Sequence, residues 1–262
     1  MANLALQSVS ALVLAGVTMV YAVAGGGIPL KTLLDIHGLV IVIGGTIAAA
    51  AISFKPSEII IMLRASYRGM FTGRGVDYRL IVQELTELAK VYKENPEGLR
   101  ARLNKTQDFF IREALTLMLD EIATERELKK ILQDRSQALF ERYIADAKKF
   151  KAIGKYPPAM GLMGAVLGMI ALLGGLGTPG AEKTVGPAMS VALVATFYGI
   201  ALANLIIIPV GENLVDRAQT IKLKNEIIVA GVLLIQEKTN PILLVEKLNS
   251  FLLPAERLKW KR

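Results

Sequence analysis

Four stretches of the chain hold no Asp, Glu, Lys or Arg: residues 1–30, 36–54, 156–181 and 184–211. A helix rises about 1.5 Å per residue, so about 20 apolar residues are needed to cross the hydrocarbon core of a bilayer. Three of the blocks exceed that length and the second comes within a residue of it. One such block could be the buried helix of a soluble core. Four of them, with charged segments between, form a membrane pattern. The expected fold is an all-α integral membrane protein with four transmembrane helices and a large helical cytoplasmic domain. The first block has no basic flank and is longer than the apolar region of a signal peptide, so it reads as a retained helix.

Orientation follows from the basic residues. Of 31 Lys and Arg, 20 lie between Lys55 and Lys155 and 9 between Arg217 and Arg262. Only Lys31 and Lys183 fall in the two short connections. Four spans put both basic regions on one side, and the positive-inside rule makes that side the cytoplasm, with both termini there. The net charge of +8 lies entirely on that face, where anionic lipid headgroups attract it. Nucleic-acid binding is discounted, because acidic residues are interspersed and no aromatic stacking pattern appears.

The chain divides into transmembrane helices 1 and 2 (1–54), a cytoplasmic helical domain (55–155), transmembrane helices 3 and 4 (156–211) and cytoplasmic C-terminal helices (212–262). Gly25-Gly26-Gly27-Ile28-Pro29 and Thr178-Pro179-Gly180 break the two hairpins. The triple glycine is no phosphate loop, since Leu30 stands before Lys31 where that motif needs glycine. Apolar positions at helical spacing begin at Ile59, Met62 and Leu63 and continue through Leu80, Leu85, Leu88 and Val91. Asn95-Pro96-Glu97-Gly98 reads as a turn. Phe109, Phe110, Leu115, Met118 and Leu119 mark another helix. Thr124-Glu125-Arg126-Glu127 has the form of a capping box. The fourth apolar helix should run on to Lys238, and Asn240-Pro241 should open a last short one.

Small residues line one face of each helix in the second hairpin. Transmembrane three carries Gly161, Gly164, Ala165, Gly168, Ala171 and Gly175; transmembrane four carries Ala188, Ala192, Ala195, Thr196, Gly199 and Ala203. Such faces let backbones approach closely in lipid, and they serve equally for packing within the hairpin or against a pore or partner helix. An ion path usually needs an intramembrane carboxylate, and none of the four blocks has one. Their midplane polar groups are Thr46, Ser190, Thr196 and Asn204. A titrating group would therefore come from another chain. Pro158 opens the third helix and Pro209 lies near the end of the fourth, each a helix start or kink, or a hinge to the cytoplasmic part. His37, the sole histidine, beside Asp35, reads as an interfacial anchor. Asp35 and Lys31 read as solvated loop charges, with a place at a channel mouth the other reading of Asp35. With no cysteine, no metal cluster, no nucleophile–base pair and no nucleotide fingerprint, an enzyme or a cofactor is not expected.

Pro158-Ala159-Met160-Gly161-Leu162-Met163-Gly164 resembles the third helix of the MotA/PomA flagellar stator family. Gly186-Pro187-Ala188-Met189 through Thr196-Phe197-Tyr198-Gly199 to Pro209 resembles its fourth, and Ile41-Val42-Ile43-Gly44-Gly45-Thr46 its second. The resemblance implies a multi-pass protein of the bacterial inner membrane. It implies a homopentamer of A subunits around two MotB/PomB-like B subunits, whose transmembrane aspartate carries the ion. Ion flow would turn the A ring against the rotor's switch-ring protein. Pro158 and Pro209 match the family's functional prolines, and Thr196 matches the hydroxyl that faces the ion. Sodium-driven members add a threonine on the third helix. Ala165 stands there instead, as in proton-driven members, and two hydroxyls would better replace a sodium ion's hydration oxygens. The family's rotor-contact basic and acidic residues correspond loosely here. Lys93 holds the basic position, while Arg100 and Arg102 stand near the expected glutamate, so the carboxylate is lost or moved to Glu94 or Glu97. The alternative is a TolQ/ExbB-type energiser of another envelope machine. Its members usually have three spans with the large loop after the first, and four spans with the loop after the second favour the stator.

Overall fold

The computed structural model describes residues 4–27, 30–67, 75–177, 180 and 182–259. In chain order its α-helices are α1 Leu4–Gly25, α2 Ile36–Ser53, α3 Pro56–Tyr67, α4 Tyr78–Glu94, α5 Pro96–Leu103, α6 Phe109–Leu119, α7 Glu125–Ile153, α8 Tyr156–Gly175, α9 Glu182–Leu202, α10 Ile208–Gln236 and α11 Pro241–Asn249. No strand occurs among the described residues. The fold is all-α, and the runs Ile36–Ser53, Glu125–Gly175 and Val185–Gln236 each hold a stretch long and apolar enough to cross a membrane. α1 is a 22-residue helix without a charged residue.

Two compact units form. One comprises residues 1–74 and 144–216; the other comprises 75–143 and 217–262. These bounds differ from the charge-based segments, because the ends of the 55–155 segment fold with the apolar helices. The reason is a small apolar core of Ala50, Phe150, Ile153, Ile207 and Val210. Ion pairs Lys149–Glu58 at 3.2 Å and Lys151–Glu212 at 3.1 Å reinforce it within the same unit. Gly27 and Gly180, in the expected hairpin breaks, and Gly177, just before the second, adopt φ of 68°, 85° and 89°, which an L side chain rarely takes. Ile28, Pro29, Thr178 and Pro179, also assigned to those breaks, lie outside the described residues.

The other unit is built on a large apolar core. Leu85, Leu88, Leu99, Ile111, Leu115, Leu128, Leu132, Ile227, Ile228, Ile235, Leu244 and Leu248 are fully buried in it. Each contributes about 1.5–3 kcal/mol relative to exposure. On α4 the buried face is Val82, Leu85, Leu88 and Ala89, while Leu80, expected inside, is 60% exposed. Gly231 lets the α10 backbone ride onto α4, since a methyl group there would sit 2.7 Å from Leu85.

Helix starts in this unit are set by side chains that accept otherwise orphaned backbone N–H bonds. Asp77 caps α4, Asn95 caps α5, Asp108 caps α6 and Asn240 caps α11. Pro96 and Pro241 follow their caps in the first turn, where a missing N–H costs nothing. The Asn95–Gly98 segment is thus a one-residue joint that opens a helix rather than a free turn. The capping box forms as the sequence indicates. Thr124 donates from Oγ1 to Glu127 at 2.7 Å and from its amide at 2.9 Å, and Glu127 N returns a 3.4 Å bond. Asp108 does double duty: it accepts from Phe110 N at 2.9 Å and pairs with Lys224 of α10 at 2.6 Å, both side chains only 16% exposed.

Asp108→Ala strands the Lys224 ammonium and uncaps α6, so unfolding free energy should fall by about 3 kcal/mol. Arg102→Ala, which loses an exposed 3.5 Å pair with Glu87, should change it by less than about 0.5 kcal/mol. Chemical denaturation of the two variants in detergent compares them directly.

The hydrogen bonds from the Thr124 side chain and then its backbone hold the Glu127 carboxyl below its usual value. A lowered folded value makes the contribution fully present above the unfolded value and lost as pH falls through the folded one. Corrected for its intrinsic pH dependence, amide exchange in the first turn of α7 should therefore accelerate on acidification below pH 4.5 in the wild type. Thr124→Ala should show the fast exchange already at neutral pH.

Candidate functional site

The α8–α9 hairpin is packed backbone to backbone. A methyl group added to Gly161 would sit 2.8 Å from the Ala195 carbonyl oxygen and 3.1 Å from Thr196 Cα. One on Gly164 would meet Ala195 Cβ at 2.6 Å, and one on Gly168 would meet both the Ala188 oxygen and Ala192 Cβ at 2.8 Å. Gly199 answers from the other helix, lying against the Pro157 carbonyl and Pro158 Cα. α2 joins at the same level, with Gly38 against the backbone of Ala195. Meanwhile Leu162, Met163, Val166, Ile170 and Leu173 of α8 point outward. Small residues inside and large apolar ones outside reverse the arrangement of a soluble helix pair and suit a lipid solvent. Ala165 is only half-buried and Ala171 is exposed, so these two lie off the tight seam that Gly161, Gly164 and Gly168 form.

Within this seam stands Thr196. Its hydroxyl donates to Ala192 O at 3.0 Å and lies 3.4 Å from Gly161 O across the helix pair. Of the other midplane polar residues, Asn204 is exposed and bonds Ile200 O at 3.0 Å. Thr46 is 6% exposed and its hydroxyl has no hydrogen-bond partner among the described residues. The described residues hold no group of His, Cys, Asp or Glu able to bind a metal ion.

The two prolines have different surroundings. Pro158 is in the first turn of α8, where a proline is tolerated. Its neighbour Pro157, which sequence reasoning passed over, is buried and supplies the carbonyl that faces Gly199. Pro209 neither ends nor breaks its helix. It follows a π-helical segment, Ala203–Ile207, after which α10 runs unbroken to Gln236. A proline ring normally clashes with the carbonyl four residues earlier, and the wider π turn relieves that. A second π segment, Val40–Gly44, interrupts α2 without any proline. Neither has a plain signal in the sequence.

Tyr198 was another residue without a predicted role. Its hydroxyl donates to Leu33 O and accepts from Asp35 N at 3.3 Å. Asp35 in turn caps α2, accepting from Gly38 N at 2.8 Å, so it is a structural cap rather than a loop charge. His37 is exposed. The side chain of Lys31 lies outside the described residues.

The five residues matched to rotor contact lie together at the α4–α5 corner of the second unit, all exposed. Arg100 is engaged by Asp120 at 2.8 Å and Leu119 O at 3.0 Å, and Arg102 by Glu87. Lys93, Glu94 and Glu97 form no ion pair among the described residues. The candidates therefore fall into two groups. Thr196, Pro158 and the small-residue seam share the first unit with Ala165 and Pro209, and the charged corner belongs to the second.

The model of the MotA/TolQ/ExbB proton channel family matches residues 102–226. The chain is 31% identical to motility protein A of Borreliella burgdorferi over 226 residues, 85% of this chain and 84% of that one. It is 27% identical to chemotaxis protein PomA of Vibrio alginolyticus over 240 residues, covering 90% of each. The structure of C. jejuni MotAB superposes with a TM-score of 0.87 over 98% of this chain and 99% of that chain, at 25% identity.

The seam gives a direct test of packing. Gly168→Ala should destabilise the protein by about 1–3 kcal/mol through overpacking. Gly174→Ala, which has nothing within 4 Å of the added methyl, should be neutral or slightly stabilising. Thermal denaturation in one detergent separates the two.

Proposed function

Because the chain belongs to the MotA family of flagellar stator subunits, we propose that it forms, with a B subunit, a channel whose proton flow becomes torque on the rotor. The observation that carries this is the Thr196 hydroxyl, set in a seam of apolar helices whose charge-free segments contain no carboxylate. Its hydrogen already goes to Ala192 O, so its oxygen is left to accept. It can receive a hydrogen bond from a protonated carboxyl but has no second proton for a carboxylate. A carboxyl supplied by the B subunit would thus be held at Thr196 only while protonated, which suits a carrier that must load and release. Ala165 adds no oxygen for sodium, which supports protons as the coupling ion.

In this reading α1 is the fourth span: its 22 residues rise about 33 Å. Both termini and both basic segments face the cytoplasm of a bacterial inner membrane. Five copies surround two B subunits, and the Lys93–Arg102 corner meets the rotor. With Arg100 and Arg102 committed to Asp120 and Glu87, that corner offers Lys93, Glu94 and Glu97 as its freer charges. Pro158 sets the start of α8 against Gly199, and Pro209 with its π segment sets the phase of the helix leaving the membrane.

Expressed with a plug-deleted B subunit, the chain should acidify the cytoplasm in proportion to external pH and independently of sodium. Thr196→Val should cut that flux about tenfold, the kinetic equivalent of one lost hydrogen bond, while Thr196→Ser retains it. Sodium-dependent flux would contradict the ion assignment. Equal flux in all three would remove Thr196 from the path.

A further inference from the structure

We infer that Tyr198 is a positioning residue for ion passage, a phenol clamp that holds the outer start of α2 on α9 beside Thr196. This rests on the channel reading above. The clamp is unusual in its economy. Between the short 3₁₀ turn Leu30–Leu33 and the first turn of α2, the backbone leaves one helical ladder and has not begun the next. Two groups in that gap, the Leu33 carbonyl and the Asp35 amide, are taken by a single atom, the Tyr198 hydroxyl oxygen, which donates to one and accepts from the other. A phenylalanine would fill the same volume and make neither bond.

Packing of Gly38 on Ala195 holds the next turn of α2, and the phenol holds the segment before it. Tyr198 lines an apolar cleft of about 340 Å³ together with Gly16 of α1, Val42 and Ile43 of α2, and Leu205 and Ile206. Val42 and Ile43 belong to one π segment, and Leu205 and Ile206 to the other. The two irregular stretches of the membrane helices thus border one cleft, and beside it the attachment of α2 is polar.

The clamp sits where it can affect the ion path. Ala195 is wedged between Gly38 of α2 on one side and Gly161 and Gly164 of α8 on the other. Thr196, the next residue, shares its hydroxyl with the Gly161 carbonyl. If the start of α2 loosens, Ala195 loses one of the two backbones that hold it, and the aim of the adjacent hydroxyl loosens too. Tyr198 therefore acts through Thr196 and need not touch the ion.

The test uses the full chain in membranes with its B-type partner and compares wild type, Tyr198→Phe and a protein carrying 3-fluorotyrosine, which keeps the hydroxyl. Amide exchange in residues 33–39 should be about tenfold faster in Tyr198→Phe, the mark of a locally opened segment, with exchange on the α8–α9 seam unchanged. Flux per assembled complex should fall about fivefold or more, while the amount of assembled complex holds. The fluorotyrosine protein should match the wild type in both. A residue with only a structural role would lower the amount of complex and leave the flux of each one intact, and that result overturns the inference. So does unchanged exchange in residues 33–39. Absence of flux from the wild type would tell against the channel reading alone, and the exchange comparison still decides whether the clamp exists.

Discussion

The approach of two helix backbones, α8 on α9, is the interaction on which the rest of the apolar unit depends. In lipid no hydrophobic gain drives helices together, so close van der Waals contact must do so. That contact requires side chains to be absent. Gly161, Gly164 and Gly168 supply the absence on one helix, and Ala188, Ala192 and Ala195 nearly do so on the other. Everything else follows from the spacing this sets. The Gly161 carbonyl comes within reach of the Thr196 hydroxyl, Gly38 seats α2 on the back of Ala195, and Pro157 meets Gly199.

The charged unit is built on other terms. Its leucines and isoleucines bury one another in a large apolar core. Its specificity comes from polar groups at helix starts. Asp108 is the clearest case, since one carboxylate begins α6 and secures α10. Asn249, the last residue of α11, instead ties down the segment that follows, exchanging two hydrogen bonds with the backbone of Leu258. The contrast within one chain is between a seam that excludes side chains and a core filled by them.

What could be read from the sequence divides along a physical line. Membrane-length blocks, the Thr124–Glu127 box, the Asn240–Pro241 start and the helix reaching almost to Lys238 were legible, because each is decided by residues near one another in the chain. The glycine stripe was legible as a stripe, but its division into a seam and an outer face was not. Ala165 and Ala171 fall off the contact by an angle that only the crossing of two helices determines. Leu80 was misplaced for a similar reason: the face of α4 that is buried depends on which neighbours cover it. Tyr198 and Pro157 were invisible because their partners, Leu33 and Gly199, are remote in sequence and are backbone atoms without residue identity. The π segment before Pro209 was not legible either: the proline suggested a kink, and a widened turn is the other way a helix can absorb the same missing bond.

That widened turn has a consequence for how chains of this kind can vary. A π segment is one residue of slack in an α-helix. Beyond it every side chain is turned by about 100° from where an uninterrupted helix would put it. The faces of Val210 and Gly211, which meet the end of α7, are correct only because the extra residue is there. A chain that had lost one residue between Ala203 and Ile207, and with it the proline, could run as plain α-helix and keep the same contacts above and below. Length and proline should therefore change together at this place.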